Sequence, residues 1–315
     1  MTKKIAFLFP GQGSQAVGMG KDLYDNFESA KNVFDTADKV LSKNISTMCF
    51  EGPEDSLKQT INTQPSIVTM SIAAMEALKS ELDITPSYTA GHSLGEYCAM
   101  YTSGVMSLEN TLKAIQKRAD LMSATKGGSM AAVLNASEEQ LKAGLEEGSK
   151  VGYVDVANYN SPAQVVITGA EDAVKAASDY MVANGVRRVV PLAVSGAFHS
   201  KFMENAGKEF AEFVSNLDLN NASIPVITNV DAEITTNSED FRVKMPKQIY
   251  SSVHWTQTIE KMIAEGVDTF IEIGPGKVLA GLNRKISSDI TTYNIFDKAS
   301  LDATVSALKE ELAGV

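Results

Sequence analysis

Five consecutive residues, Gly91-His-Ser-Leu-Gly95, contain the side chain best suited to covalent chemistry in this 315-residue chain. They match G-x-S-x-G, a pattern in which the serine lies on a sharp turn between a strand and a helix. Residues 87–90 can form the strand, and apolar positions 94, 98 and 101 follow at helical spacing. The pattern therefore predicts that Ser93 is a nucleophile at a helix N-terminus. The alternative is a glycine-flanked surface turn, because a match this short also arises by chance.

A serine nucleophile needs a base, and the chain has three histidines. His92 neighbours Ser93 on a tight turn, where adjacent side chains point in different directions. His254 stands beside the only tryptophan, which is typical of a packed or surface histidine. His199 follows a predicted inserted unit, on a loop that would face a cleft between subdomains. The sequence favours His199 as the base, with a purely structural loop histidine as the alternative.

Arg118 lies at the edge of an apolar helix face. Ser107 is a good N-cap for a helix over residues 108–122, whose apolar positions form one stripe. At about 100° per residue, Arg118 lies roughly 80° from the centre of that stripe. An arginine held at a cleft can bind a carboxylate through two N–H groups. The commoner alternative is an arginine whose charged end reaches solvent.

Composition limits the classes of protein that fit. Hydrophobic residues make up 44% and charged residues 21%, as in globular proteins, and the net charge of −11 argues against a nucleic-acid partner. No apolar run reaches the length of a membrane span, and the run at residues 5–9 is too short for a signal peptide. Two isolated cysteines and three histidines predict a reduced, cytoplasmic protein without a metal site.

The elements that would position these residues alternate between strand and helix. Strands are predicted at residues 5–9, 224–230 and 269–273, and Pro65 is predicted to begin a helix. The glycine-rich loop at residues 10–15 can offer backbone N–H groups to an oxyanion. This alternation indicates an α/β fold with a largely parallel sheet.

A distinct unit begins after a break at residues 126–129. The order β-α-β-β-α-β over about 65 residues is typical of a ferredoxin-like fold. Two of its strands, residues 151–157 and 164–168, are predicted to flank a turn at 158–162. The predicted bounds are residues 129–196 for this small subdomain, inserted in a larger one formed by residues 1–128 and 197–315.

Six motifs, in this order, resemble those of the malonyl-CoA:acyl-carrier-protein transacylases and the acyltransferase domains of polyketide synthases. The resemblance extends from residue 5 to about residue 285. The motifs are Phe9-Pro-Gly-Gln-Gly-Ser-Gln15, Gly91-His-Ser-Leu-Gly-Glu96, Arg118, Asn158-Tyr-Asn-Ser-Pro162, Phe198-His199 and Glu272-Ile-Gly-Pro-Gly276.

The resemblance implies an α/β-hydrolase-like large subdomain with a parallel sheet and an inserted ferredoxin-like small one. It implies that Ser93 is acylated and that His199 is its base. The oxyanion donors would be the backbone N–H groups of Gln12 and Leu94. Arg118 would pair with the malonyl carboxylate.

Further roles also follow only from the resemblance. The backbone carbonyl of His254 would orient the catalytic histidine, and Asn158 and Asn160 would line the substrate channel. Phe198 resembles the aromatic residue of malonyl-selective members. Ala197 departs from the proline or serine that many members have there, which puts only the channel shape in doubt.

The implied activity is ping-pong transfer of a malonyl group from malonyl-CoA to the phosphopantetheine thiol of holo acyl carrier protein, for fatty-acid synthesis. No cofactor is implied, because the CoA thioester is a substrate. A basic patch for the acidic carrier protein would include Lys126, Arg187, Arg188 and Lys201. The alternatives are a free-standing acyltransferase of a polyketide assembly line, a serine thioester hydrolase and a non-catalytic carrier-protein docking module.

Overall fold

The computed structural model describes residues 3–313, which form ten strands and fourteen α-helices. The strands are β1 (Ile5–Phe9), β2 (Tyr88–Gly91), β3 (Ser129–Leu134), β4 (Val154–Ser161), β5 (Gln164–Gly169), β6 (Arg188–Pro191), β7 (Val226–Ile227), β8 (Ile234–Thr235), β9 (Thr269–Ile273) and β10 (Thr291–Ile295). The helices are α1 (Lys21–Asn26), α2 (Glu28–Leu41), α3 (Ile45–Glu51), α4 (Glu54–Leu57), α5 (Thr60–Glu81), α6 (Glu96–Thr102), α7 (Leu108–Ala124), α8 (Glu138–Ser149), α9 (Glu171–Ala183), α10 (Glu204–Ser215), α11 (Ser238–Tyr250), α12 (Trp255–Ala264), α13 (Val278–Ile286) and α14 (Lys298–Ala313).

The larger sheet has the strand order β10-β9-β1-β2-β7-β8. Its first five strands are parallel, and the short β8 is antiparallel to β7. Every residue of β1 and β9 is buried, as expected for parallel strands covered by helices on both faces. The carboxyl ends of β1 and β2 lie side by side, so the glycine-rich loop after β1 meets the turn after β2 at one edge.

The smaller sheet is antiparallel, with the order β4-β5-β3-β6. Helices α8 and α9 pack on it, and a buried cluster that includes Ile167 and Met181 joins the two layers. Ser137 and Gln140 form the capping box that begins α8. The two sheets confirm the predicted fold class, a parallel α/β layer with a ferredoxin-like insert.

Three local predictions were wrong. Pro65 lies inside α5, which begins at Thr60; most of the helix, including Pro65 and its neighbours, is buried, and this packing compensates for the missing N–H of the proline. Residues 158–161 continue β4 instead of forming a turn, because two register shifts keep them paired with β5. The strand predicted at 224–230 has only two residues, Val226 and Ile227.

Residues 1–2 and 314–315 of the predicted subdomain bounds lie outside the described residues. Between residues 3 and 313, no helix is both long enough and apolar enough to cross a membrane.

Candidate active site

Ser93 lies on a strained turn directly after β2. Its φ of 52° is in the left-handed region, which costs a non-glycine residue about 1–3 kcal/mol. The two flanking glycines are required by packing. A Cβ on Gly91 would lie 1.9 Å from the carbonyl carbon of Gly95, and a Cβ on Gly95 would lie 2.3 Å from the carbonyl oxygen of Phe9. This geometry is that of a nucleophile elbow, and the alternative of a surface turn does not fit it.

His199 meets Ser93 across the cleft between the two sheets. Its Nε2 lies 2.8 Å from the Ser93 Oγ. Its Nδ1 lies 2.9 Å from the carbonyl oxygen of Gln248 and 3.1 Å from that of Ser251, and since a carbonyl only accepts, Nδ1 carries the proton. Burial, followed by the nearby charge of Arg118, lowers the pKa of His199 to about 3. The imidazole is therefore neutral, and its Nε2 can take the serine proton.

The prediction that His254 orients the catalytic histidine was wrong. The carbonyl oxygen of His254 accepts the N–H of Thr258 in the first turn of α12, and its ring stacks on Tyr159 at 5.2 Å. The two carbonyls that hold His199 come instead from the C-terminal end of α11. Carbonyl groups there lack helical partners and form the negative end of the helix dipole, which suits them to hold an imidazole N–H.

Arg118 is buried, with 1% of its surface exposed, so the sequence-based position at the edge of the apolar face underestimates its burial. Its Nη1 donates to Gln64 Oε1 at 2.7 Å, and its Nη2 donates to Gln248 Oε1 and to Ser93 Oγ, both at 3.1 Å. Among the described residues, its Nε has no acceptor. Burial lowers the pKa of Arg118. The site thus holds a cation, bonded to neutral acceptors, against the Ser93 hydroxyl.

A cavity of about 110 Å³ joins these groups. Its lining includes most of the predicted site residues. They are Gln12, Ser93, Arg118, Asn158, Phe198 and His199. Asn160 does not line this cavity; its Oδ1 lies 2.7 Å from His92 Nε2. A larger groove of about 440 Å³ shares Gln12 and Val194 with the cavity and contains Lys58 and Lys126.

Two backbone N–H groups are available for an oxyanion. Within the described part of the chain, neither the N–H of Gln12 nor that of Leu94 donates a hydrogen bond. The carbonyl oxygen of Ser93 accepts the Nε2 of Gln248 at 2.9 Å. That carbonyl belongs to the same planar peptide as the Leu94 N–H, so the bond fixes the direction in which the N–H points.

Sequence reasoning missed Gln64, Gln248 and Asn229. Gln248 contacts all three predicted chemical residues: its carbonyl oxygen holds His199, and its side-chain amide contacts Arg118 and the carbonyl of Ser93. Asn229 accepts the N–H of Ser93 at 2.8 Å. The only sequence signal for Asn229 is its place at the carboxyl end of a predicted strand beside the elbow.

Comparison with known proteins settles the family. Residues 6–309 match the acyl transferase domain family. The chain belongs to this family. It is 44% identical over 312 residues to a malonyl CoA-acyl carrier protein transacylase of Bacillus subtilis, covering 98% of each chain. It is 39% identical to a protein of the same name from Staphylococcus aureus, covering 93% of this chain and 95% of the relative. The resemblance identified from the motifs is confirmed.

Solved structures of this acyl transferase family have the same fold. A malonyl CoA-acyl carrier protein transacylase from Clostridium perfringens superposes with a TM-score of 0.93 at 38% identity, covering 98% of each chain. A malonyl-transacylase solved in complex with its type II PKS acyl-carrier protein also gives a TM-score of 0.93. It is 34% identical and covers 97% of this chain and 100% of that one.

Proposed function

We propose that this acyl transferase moves a malonyl group from malonyl-CoA to the phosphopantetheine thiol of holo acyl carrier protein, through a malonyl ester on Ser93, for fatty-acid synthesis. The single observation that carries this proposal is the buried guanidinium of Arg118, 3.1 Å from the Ser93 hydroxyl. A desolvated cation at the nucleophile binds an acyl group that carries its own carboxylate.

The first half-reaction acylates Ser93. Its hydroxyl attacks the malonyl thioester carbonyl while His199 Nε2 takes the proton. The N–H groups of Gln12 and Leu94 hold the tetrahedral oxyanion, and loss of one such donor raises a barrier of this kind by about 3 kcal/mol. The C–S bond then breaks, and CoA leaves as the thiol with the proton from His199.

The second half-reaction runs in the opposite direction with a new thiol. His199 takes the proton of the phosphopantetheine thiol, the sulfur attacks the malonyl ester, and Ser93 leaves with the proton. The groove that contains Lys58 and Lys126 shares Gln12 and Val194 with the cavity, and we assign it as the path of the pantetheine arm to Ser93. Lys126, Lys201, Arg187 and Arg188 supply positive charge for an acidic carrier protein.

Selectivity in this proposal depends on the cavity wall. Arg118 pairs with the free carboxylate, and Phe198 crowds a branch at the α-carbon. Asn158 lines the cavity, and Asn160 steadies the ring of His92 beside it. No cofactor is needed, because the thioester already carries an activated acyl group. We place the enzyme in the cytoplasm and divide it into a catalytic subdomain (residues 1–128 and 197–315) and a small subdomain (129–196).

Intact mass spectrometry tests the proposal. Mixing the protein with malonyl-CoA should add one malonyl mass, and adding holo acyl carrier protein should move that mass to the carrier. Ser93→Ala should abolish the adduct, whereas Ser80→Ala, at an exposed position of α5, should leave it unchanged. An adduct that survives Ser93→Ala would contradict the assignment, and rapid release of free malonate without transfer would indicate a hydrolase.

A further inference from the structure

Asn229 is a fully buried asparagine that the reaction steps above do not use. It follows β7, the neighbour of β2 in the larger sheet, so the sheet carries it to the elbow. Its side chain spans the turn: Oδ1 accepts the N–H of Ser93 at 2.8 Å, and Nδ2 donates to the carbonyl oxygen of Gly91, also at 2.8 Å. One planar amide thus bonds to both sides of the nucleophile's turn.

The backbone of Asn229 is held equally firmly. Its N–H donates to the Glu96 carboxylate at 2.6 Å, and its carbonyl oxygen accepts the N–H of His254 at 3.0 Å. Glu96 is itself buried in the first turn of α6, directly after the elbow. The Glu96 carboxyl group therefore links α6 to Asn229, the residue that accepts the N–H of Ser93.

Asparagine suits this position because the elbow presents one donor and one acceptor. An aspartate would offer two acceptors and no donor, so the carbonyl oxygen of Gly91 would lose its partner. An aliphatic residue would offer neither a donor nor an acceptor, so both buried peptide groups would be left unpaired. The turn also needs restraint, because Ser93 has a φ of 52° and a released peptide would relax toward ordinary angles. Such relaxation would move the Ser93 Oγ away from His199 and turn the Leu94 N–H away from the oxyanion.

We propose that Asn229 is a positioning residue that holds the elbow in its reactive geometry, with Glu96 fixing Asn229 in turn. Asn229 does not touch the substrate; it acts through the peptide groups of Gly91 and Ser93. The inference rests on the proposed role of Ser93 as nucleophile. It does not depend on which acyl group Ser93 accepts.

The test separates rate from the amount of competent enzyme. Single-turnover acylation by malonyl-CoA, followed by intact mass, gives a rate constant and a final stoichiometry for Asn229→Ala and Asn229→Ser. The serine variant keeps a polar group in the buried site but cannot reach both peptides. Asn283→Ala is the matched control, because Asn283 is equally buried on α13, away from the site.

We expect at least a tenfold lower rate constant for both Asn229 variants, with final stoichiometry near one adduct per chain. Asn283→Ala should acylate at the wild-type rate. A purely structural role would instead lower the stoichiometry and leave the rate constant of the folded fraction unchanged. A lowered stoichiometry with an unchanged rate constant would overturn the proposal. A rate constant within twofold of the wild-type value would do so too, as would loss of cooperative unfolding in both Asn229 variants.

A fluorophosphonate probe distinguishes failure of this inference from failure of the proposed function. The Ser93 Oγ forms a bond to phosphorus, fluoride leaves, and His199 takes the proton, so the probe needs neither Arg118 nor a malonyl group. Wild type that reacts with the probe but not with malonyl-CoA would refute the proposed function alone. Asn229 variants that react with the probe as fast as wild type would refute the positioning role alone.

Discussion

The Arg118 guanidinium and the Ser93 hydroxyl form a hydrogen bond of 3.1 Å between Nη2 and Oγ. Two neutral amides, from Gln64 and Gln248, hold the arginine in this place. A carboxylate in the cavity would meet a cation that these amides already hold in place. In the proposed function, this distance favours an acyl group whose carboxylate lies close to the reacting carbonyl.

Arg118→Ala should lose malonyl transfer and relatively favour acetyl transfer. A buried charged hydrogen bond contributes about 1.5–3 kcal/mol, so malonyl acylation should fall by about 10- to 100-fold. The measurement is competition between malonyl-CoA and acetyl-CoA, read by intact mass. Lys113→Ala, at an exposed position of the same helix, is the control. Equal use of the two thioesters by wild type would rule out the carboxylate clamp.

His199→Ala should slow acylation by about 10² to 10⁴ while malonyl-CoA still binds, because the variant lacks the base but keeps Arg118. His254→Ala should be mild, because the ring of His254 stacks on Tyr159 and its backbone takes no part in holding His199. Rate constants come from single-turnover acylation and affinities from calorimetry. A severe effect of His254→Ala together with a mild effect of His199→Ala would show that His199 is not the base.

The pH profile of acylation should lack an inflection near 6.5. The pKa of His199 is lowered to about 3, so its neutral, proton-accepting form persists as pH falls and is lost only near pH 3. We expect kcat/KM for malonyl-CoA to show no inflection from His199 between pH 8 and pH 5. Burial raises the pKa of Glu96 to about 7, so Glu96→Gln is measured in parallel to remove that carboxyl from the profile. An inflection at pH 6–7 in both proteins would contradict the prediction.

Phe198→Ser should admit methylmalonyl-CoA. Phe198 lines the cavity beside His199, where its ring would crowd a methyl branch at the α-carbon. Replacing the ring removes that obstacle without touching Arg118, so malonyl selectivity over acetyl should persist. Competition between malonyl-CoA and methylmalonyl-CoA measures the change. Unchanged discrimination in the variant would show that the ring has no steric role.

Glu272→Gln should change how stability depends on pH. Glu272 is buried, accepts the N–H groups of Leu279 and Ala280 at 2.9 and 2.8 Å, and has a pKa raised from 4.5 to about 7 by burial. Between pH 4.5 and pH 7, the folded wild type therefore binds more protons at Glu272 than the unfolded chain does. Its free energy of unfolding falls as pH rises through this range. The variant lacks this group. The stability advantage of wild type should shrink by about 3 kcal/mol between pH 4.5 and pH 8.

Urea unfolding at a series of pH values gives this difference directly. Glu260→Gln, on the surface-exposed side of α12, is the control for the loss of one carboxyl group. The prediction would be contradicted if the free energy of unfolding of wild type, relative to that of Glu272→Gln, increased as pH rises.

The sequence by itself determined the features that depend on local patterns. The uninterrupted apolar residues of β1 and the largely apolar residues of β9 predict buried strands, and the structure has both at the predicted bounds. Ser107 and Ser137 begin their helices with side-chain caps because both groups of each cap lie within three residues. The G-x-S-x-G spacing of the elbow is also local, and a Cβ on Gly91 would clash with Gly95 only four residues away, whereas a Cβ on Gly95 would clash with Phe9 on the neighbouring strand β1.

Only the tertiary structure decided how the site is held. Gln248 and Asn229 bond to Ser93 from 155 and 136 residues away, and no spacing rule connects residues so distant. The two carbonyls that orient His199 depend on where α11 ends in space, which placed this role on Gln248 and Ser251 instead of His254. Backbone carbonyls carry no side-chain signature. Their partners are therefore fixed by how separate elements pack, and that packing is a property of the whole fold.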